Sequence, residues 1–390
     1  MRRKRMRGLW AVLLALCLMA GNACAERMLI LSFTGDCTLG SEENRDKLDD
    51  SLNSLAEREG NDFFFDNFRD LFSADDCTVI NLEGVLSDSN RDAAAGRSFR
   101  LRGPERFVQI LSDASVEAAG LANDHIMDYG SRGLTTTKET LESAGIGWAR
   151  ATDGYMFEKD GIRIWIFAMD YAISSKYGKD IRQRIADLKA SGEASAVVVL
   201  FHNGTDFAPK HTDIQEKIGD QFVDAGADLV IMHHPHVVQG IRIRNNRTIS
   251  YSLGNFVYGG NRMIRTETFQ NKRQTTSLYG LVVQVRLHFS DSGTYQGQQT
   301  VLIPVYTTSA EPVNNFRPRR MTAEEAGPVL EAIQYDTQME LPAVSADEEG
   351  WARIIIPYLS AWDDGQETGN SGQPADDHWQ PEKPAERPWR

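Results

Sequence analysis

Five short segments of this chain, most of them continuous apolar runs, lead directly into residues of the kind that bind metal ions. Residues 28–34 (MLILSFT) lead to Gly35 and Asp36, and residues 78–82 (TVINL) lead to Glu83. Residues 116–121 lead to Ala122-Asn123-Asp124-His125, residues 196–201 (AVVVLF) to His202, and residues 228–232 to His233-His234-Pro235-His236. Short continuous apolar runs of this kind are the mark of strands buried on both faces, as in parallel sheets covered by helices. In such sheets, sites gather beyond the carboxyl ends of the strands. A fold that brings carboxylates and imidazoles from five strand ends to one edge has the pattern of a metal site.

The segments between these strands supply helices. Spacing predicts helices over 62–72, which is rich in phenylalanine, over 104–111 with Pro104 in the first turn, and over 131–144 with Gly145 as its stop. Further helices are expected over 181–188 and 214–225, and a further strand over 162–168 (IRIWIFA). After residue 232, the segments 248–251, 281–289 and 300–305 read as strands with no helix between them. Alternation followed by consecutive strands predicts an α/β protein whose second sheet is partly antiparallel. Two C-terminal helices are expected, over 321–335 and 348–361. The resulting division is a signal peptide over 1–25, one domain over 26–310, a C-terminal helical extension over 311–362, and a tail over 363–390. The tail is Gly, Pro, Asp, Glu and Gln without apolar periodicity, so disorder is expected there.

Residues 1–25 read as a secretory signal. A basic start precedes an apolar stretch over 9–20 that is short for a bilayer span, and Ala23-Cys24-Ala25 forms an A-x-A-like cleavage site before Glu26. The expected location is extracytoplasmic, either secreted or held at the cell surface, with an uncleaved anchor as the alternative reading. Of the four cysteines, Cys17 and Cys24 lie in this segment. Cys37 follows the first strand and Cys77 precedes the second. If those strands are parallel, the thiols lie on the order of 20 Å apart, beyond disulfide reach. Net charge is −13, although residues 1–25 are purely basic, so the remainder is more acidic still. Such a chain repels phosphate backbones, which excludes general nucleic-acid binding; an anionic substrate held locally by metal ions stays compatible.

A mixed carboxylate and imidazole shell suits one or two divalent ions, Mn, Fe or Zn, better than Ca, which takes only oxygen. The candidate ligands are Asp36, Glu83, Asn123, Asp124, His202, His234 and His236. His125 is the candidate proton donor to a leaving group, and Asp128 either starts the next helix or orients His125. Arg100 and Arg102, in Phe-Arg-Leu-Arg-Gly-Pro, are candidates for neutralising a phosphate or carboxylate of the substrate. Asn255, in Leu-Gly-Asn-Phe, is a third candidate substrate contact.

Six motifs in order carry a resemblance. They are Gly-Asp-Cys-Thr-Leu-Gly at 35–40, Asn-Leu-Glu at 81–83, Ala-Asn-Asp-His-x-x-Asp-Tyr-Gly at 122–130, Gly-Ala-Asp-Leu-Val-Ile at 226–231, His-His-Pro-His-Val-Val-Gln at 233–239 and Tyr-Ser-Leu-Gly-Asn-Phe at 251–256. Over residues 28–258 the chain resembles the CapA family of capsule and poly-γ-glutamate synthesis proteins, within the calcineurin-like metallophosphoesterase superfamily. The resemblance implies an α/β sandwich of two mixed β-sheets flanked by helices. It implies Asp36 as a ligand of the first metal, Glu83 as the bridging carboxylate and His202 as a ligand of the second metal. His234 and His236 would give one imidazole to each, and His125 would be the acid. Three positions depart from the pattern: Asp36-Cys37-Thr38 lacks an imidazole, Asp124 stands where Asn is usual, and Asn203 stands where Trp is frequent. The implied function is a metal-dependent phosphoesterase-type hydrolase of capsule or poly-γ-glutamate biosynthesis. The implied partners are an anionic cell-envelope polymer or phosphoester substrate and a membrane-bound polymer synthase. The alternative is a non-catalytic polymer-binding or assembly component with a degenerate metal site.

Overall fold

The apolar run at the start becomes β1 (Arg27–Cys37), buried without interruption from Leu31 to its end. A computed structural model describes residues 27–361 apart from 98, 261–265, 270–272 and 312. The expected signal and tail therefore lie outside the described residues. Along the chain follow β2 (Cys77–Leu82), β3 (Ala118–Gly120), β4 (Gly147–Ala149), β5 (Tyr155–Lys159), β6 (Ile162–Asp170), β7 (Ala196–His202) and β8 (Leu229–His233). Then come β9 (Ile241–Arg244), β10 (Arg247–Ser250), β11 (Tyr279–Phe289), β12 (Tyr295–Tyr306), β13 (Arg319–Arg320), β14 (Ser345–Ala346), β15 (Ala352–Ile355) and β16 (Leu359–Ser360). The helices are α1 (Leu52–Glu59), α2 (Arg69–Ser73), α3 (Val108–Ser112), α4 (Gly130–Ser143), α5 (Tyr171–Ser191), α6 (Asp213–Asp224) and α7 (Gly327–Tyr335).

These strands build two mixed sheets. One has the order β14-β15-β12-β11-β1-β2-β3-β4, with β13 and β16 also paired to β12. The other has the order β9-β10-β8-β7-β6-β5. The chain is thus the α/β protein with two mixed sheets that the motifs implied. β1 to β4 run parallel, as do β6, β7, β8 and β10. The alternation of side chains along a strand sends Val79 into the core shared with the second sheet, through Val198 and Leu200, while Ile80 faces the other way. There it joins a cluster with Phe64, Phe65, Phe68 and Phe72. Phe65, Phe68 and Phe72 surround Phe256, with ring centroids 5.4, 4.9 and 6.2 Å away.

Three expectations are corrected. The 62–72 stretch is not one helix but two 3₁₀ turns, Asn61–Phe63 and Asp66–Phe68, followed by α2. A regular helix would spread three consecutive phenylalanines around its circumference; the tight turns instead bury Phe64, Phe65, Phe68 and Phe72 together. Second, β11 and β12 do not extend the second sheet. They return to the first, where β11 pairs antiparallel with β1 and β12 antiparallel with β11. Third, 311–362 is not a helical extension. Its second expected helix is replaced by β15 and β16, both paired with β12. The β-branched run Ile354-Ile355-Ile356 before Pro357 favours extended backbone over helix. Within the described residues, no helix is long and apolar enough to cross a membrane.

Cys37 lies opposite Leu82 and Cys77 opposite Leu31, at the two ends of the β1–β2 pair, and both thiols are free and buried. Asp75 sits beside Cys77 at the end remote from Asp36. It accepts a hydrogen bond from Thr78 Oγ1 (2.8 Å), and burial pushes its carboxyl up to about 7, with Glu117 and Asp76 adding negative charge. A carboxyl with an unfolded pKa of 3.8 and a raised folded value costs nothing below pH 3.8 and destabilises increasingly as pH rises toward 7. Asp75→Asn is therefore expected to stabilise the protein at pH 8 by about 1–2 kcal/mol, allowing for solvent screening of a half-buried group. At pH 4 the effect should vanish. Urea melts at both pH values check this; an equal effect at both would mean that Asp75 acts through packing alone.

Candidate metal centre

The carboxyl edges of the two sheets meet. In the first sheet, Asp36 is in register with Asn81, and Asn81 with Gly120. In the second, His202 is in register with both His233 and Asp170. A bulge between Phe33 and Asp36 gives β1 one extra residue there, a device that re-aims side chains next to sites. Gly35 occupies the bulge, where a Cβ would lie 2.2 Å from the carbonyl oxygen of Gly254. Only a glycine lets β1 approach the 254–256 segment closely enough for Asp36 N–H to donate to Gly254 O (2.9 Å).

Four overlapping groups of donor atoms result, each within 4.8 Å internally: Asp36, Glu83 and His236; Asp124, His202 and His234; Glu83, Asp124 and His125; and Asp206, His234 and His236. Six of the seven expected ligands are brought together. His202 Nε2 lies 3.1 Å from Asp124 Oδ1 and 3.2 Å from His234 Nδ1. His236 Nδ1 donates to Asn255 Oδ1 (2.9 Å) and lies 3.3 Å from Asp36 Oδ2, which leaves Nε2 facing Glu83 Oε1 at 3.8 Å. His234 and His236 both adopt positive φ, 102° and 57°. Left-handed backbone at two such residues stores strain, of the kind found where a site holds its side chains in place.

Asn123 is the seventh, and its side chain is already engaged. Its Oδ1 accepts from the backbone N–H groups of His125 (3.2 Å) and Ile126 (2.9 Å), and its amide donates to Leu82 O (2.7 Å) and Asn81 Oδ1 (3.2 Å). It fixes the turn that carries Asp124 and His125. Arg100 and Arg102 are already paired, with Arg100 Nε donating to Glu43 Oε2 (2.7 Å) and Arg102 donating to Ser87 O (2.8 Å). Asn255 Oδ1 is engaged by His236 Nδ1. His125 borders the cluster: Nδ1 meets Asp128 Oδ2 at 2.7 Å, and Nε2 faces Asp124 Oδ2 (3.7 Å) and Glu83 Oε1 (4.0 Å).

Sequence reasoning passed over two residues. Asn81 Nδ2 donates to Asp36 Oδ1 (2.8 Å) and lies 3.2 Å from His202 Nδ1, tying the two sheets together. Its position at the carboxyl end of β2, two residues before Glu83, was the available signal. Asp206 Oδ1 lies 3.1 Å from His234 Nε2; a carboxylate four residues beyond a strand-end histidine was the only hint.

The donor set fits a divalent cation. Glu83 is fully buried, and neither carboxylate oxygen has a hydrogen-bond partner, a costly arrangement unless something else satisfies it. Burial, with the negative charge of Asp36 added, pushes the Glu83 carboxyl well up. Burial alone would lower His234 and His236. Hydrogen bonds to Asp124 and Asp206 instead push His234 up to about 10, and the charges of Glu83 and Asp36 push His236 up to about 9. Burial lowers His202 to about 4, so it stays neutral, as a ligand must be. The cluster therefore holds positive charge tightly, whether as protons or as a cation. The nearby Cys37 thiol is pushed up to about 12 by burial and faces Gly35 O (3.5 Å), so no thiolate enters the set.

Residues 30–259 match the family model of the bacterial capsule synthesis protein PGA_cap. The chain is 26% identical over 253 residues to the PGA biosynthesis protein CapA of Bacillus subtilis (strain 168), covering 60% of this chain and 64% of that protein. It is also 26% identical over 254 residues to the capsule biosynthesis protein CapA of Bacillus anthracis, covering 59% and 60% respectively. The match thus spans less than two thirds of these relatives' own length. Among solved structures, a hypothetical protein from Thermus thermophilus aligns at 13% identity and a TM-score of 0.42, covering 71% of this chain and 99% of that one.

Proposed function

This chain belongs to the bacterial capsule synthesis protein family PGA_cap, and on that premise we propose that it is a metal-dependent phosphoesterase-type hydrolase acting outside the cytoplasm. Its substrate is a phosphoester or related bond in an anionic cell-envelope polymer of the capsule or poly-γ-glutamate class, and a membrane-bound polymer synthase is its partner. The observation that carries this reading is Glu83, buried with both oxygens unpartnered beside Asp36 and His236. Asp36, Glu83 and His236 would hold one ion, and Asp124, His202 and His234 a second. Ions bound there would polarise a phosphoryl oxygen and lower the pKa of water. His125 holds a proton at Nε2 for the leaving oxygen while Asp128 fixes its ring. The extracytoplasmic setting rests on the signal-like residues 1–25.

Metal analysis of the purified protein, followed by turnover of a chromogenic phosphodiester with added Mn²⁺, tests this. Bound metal together with turnover that a chelator abolishes is the expected result. Metal without turnover of any phosphoester would favour the assembly-component reading, for which the absence of an imidazole at Asp36-Cys37-Thr38 speaks. No bound metal would overturn the site assignment.

A further inference from the structure

His234 is approached from both sides of its ring. On one side Nδ1 lies 3.2 Å from His202 Nε2 and 3.7 Å from Asp124 Oδ1. On the other, Nε2 lies 3.1 Å from Asp206 Oδ1. A neutral imidazole coordinates through one nitrogen and carries its proton on the other, and the partner of that proton sets which is which. We propose that Asp206 is a positioning residue of this centre, holding the His234 proton on Nε2 so that Nδ1 is presented toward Asp124 and His202. This rests on the metal-centre reading above and adds to it a residue from outside the strand ends.

The loop carrying Asp206 is built for the task. Asn203 N–H donates to His233 O (3.1 Å) and Phe207 N–H to Pro235 O (2.8 Å), so residues 203–207 are stitched to the segment that bears His234 and His236. Phe207 takes a positive φ of 58° and sets its ring 6.0 Å from that of His236. Gly204, at φ 150°, lies where a Cβ would come within 2.7 Å of Pro235 Cγ. Asp206 is 21% exposed, more open than His234. It reaches the ring from the solvent side, while Asp36 Oδ2 accepts from the His234 backbone N–H at 3.3 Å from the inner side. Two carboxylates on separate elements thus brace a residue whose backbone is strained.

Carboxylates behind metal-bound histidines typically contribute about 10–100-fold in metal affinity. The test is Zn²⁺ affinity and stoichiometry of the full chain and of Asp206→Ala and Asp206→Asn. Long-range ¹H–¹⁵N correlations of the Zn²⁺-loaded proteins then show which His234 nitrogen is metal-bound. The expected result is Nδ1 bound and Nε2 protonated in the parent, with affinity roughly 10–100-fold weaker in Asp206→Ala. Stoichiometry should be unchanged at saturation. Asp206→Asn, nearly isosteric and still offering an acceptor oxygen, should recover most of the loss. Loss of a whole equivalent of Zn²⁺ in both variants would make Asp206 a ligand and overturn the proposal, as would unchanged affinity or Nε2 bound to metal. A parent protein that binds no Zn²⁺ would instead overturn the metal-centre reading itself, an outcome separate from any of these.

Discussion

Glu83→Gln is expected to split the protein's behaviour, leaving the metal-free chain at least as stable as its parent while removing most of the stabilisation that metal provides. The carboxylate is fully buried and neither oxygen has a hydrogen-bond partner. Asp36, close enough to share an ion with it, adds repulsion. An unsatisfied buried polar group costs about 1–3 kcal/mol, and more when charged. The glutamine amide has the same shape and no charge, so the metal-free variant should melt no lower. The parent should gain about 4 kcal/mol from an ion at a thousand times its dissociation constant, a rise on the order of 5–10 °C for a domain of this size. Glu83 belongs to two of the donor groups, so the variant should lose at least half of that rise. Melting with and without Mn²⁺, together with metal analysis, measures both halves. A metal-free variant destabilised by more than about 2 kcal/mol would be paying for a lost structural contact, and an undiminished metal response would remove Glu83 from the centre.

The strand ends were legible because chemistry and periodicity coincide there. Apolar runs that end in Asp36, Glu83, His202 and the His233–His236 segment could be placed on one edge by the parallel-sheet rule alone. What stayed hidden depends on contacts between distant segments. Asn123 looks like a ligand in sequence, but its side chain is consumed by the backbone of its own turn. Arg100 and Arg102 lie close to the motifs in sequence, yet Glu43 and Ser87 O claim them. Asp206 lies in a loop whose position is fixed by hydrogen bonds to residues about thirty positions later, and no local pattern encodes that. The destination of β11 was equally invisible: its burial on both faces calls for the middle of a sheet without saying which one. Pairing with β1 through seven successive residues decides it. Residues 352–355 show the opposite case, where the β-branched run before Pro357 could have argued against a helix.

His125→Ala is expected to leave metal content nearly unchanged and to lower any hydrolytic rate by about 10²–10⁴-fold, the usual contribution of a positioned acid. One of its ring nitrogens is already taken. His125 Nδ1 is committed to Asp128 Oδ2 at 2.7 Å. Asp128 is fully buried, accepts from Leu101 N–H (2.9 Å) and pairs with Arg97 (3.1 Å). That arrangement fixes the ring and leaves Nε2 directed at the cluster from its edge, 3.7 Å from Asp124 and 4.0 Å from Glu83. His234 stands among the other donors, with contacts to His202 and Asp124, so His234→Ala should lower metal content as well as rate. The comparison uses both variants at one Mn²⁺ concentration, with bound metal and phosphodiester turnover read on the same samples. Asp128→Asn supplies a third point: it keeps the shape but weakens the hold on Nδ1–H, so it should lower the rate while sparing the metal. If His125→Ala empties the centre as fully as His234→Ala does, His125 is a ligand, consistent with its place in a donor group with Glu83 and Asp124, and the proton must come from elsewhere. If neither variant changes metal or rate, the cluster is a structural device that joins two sheet edges, and the non-catalytic reading gains.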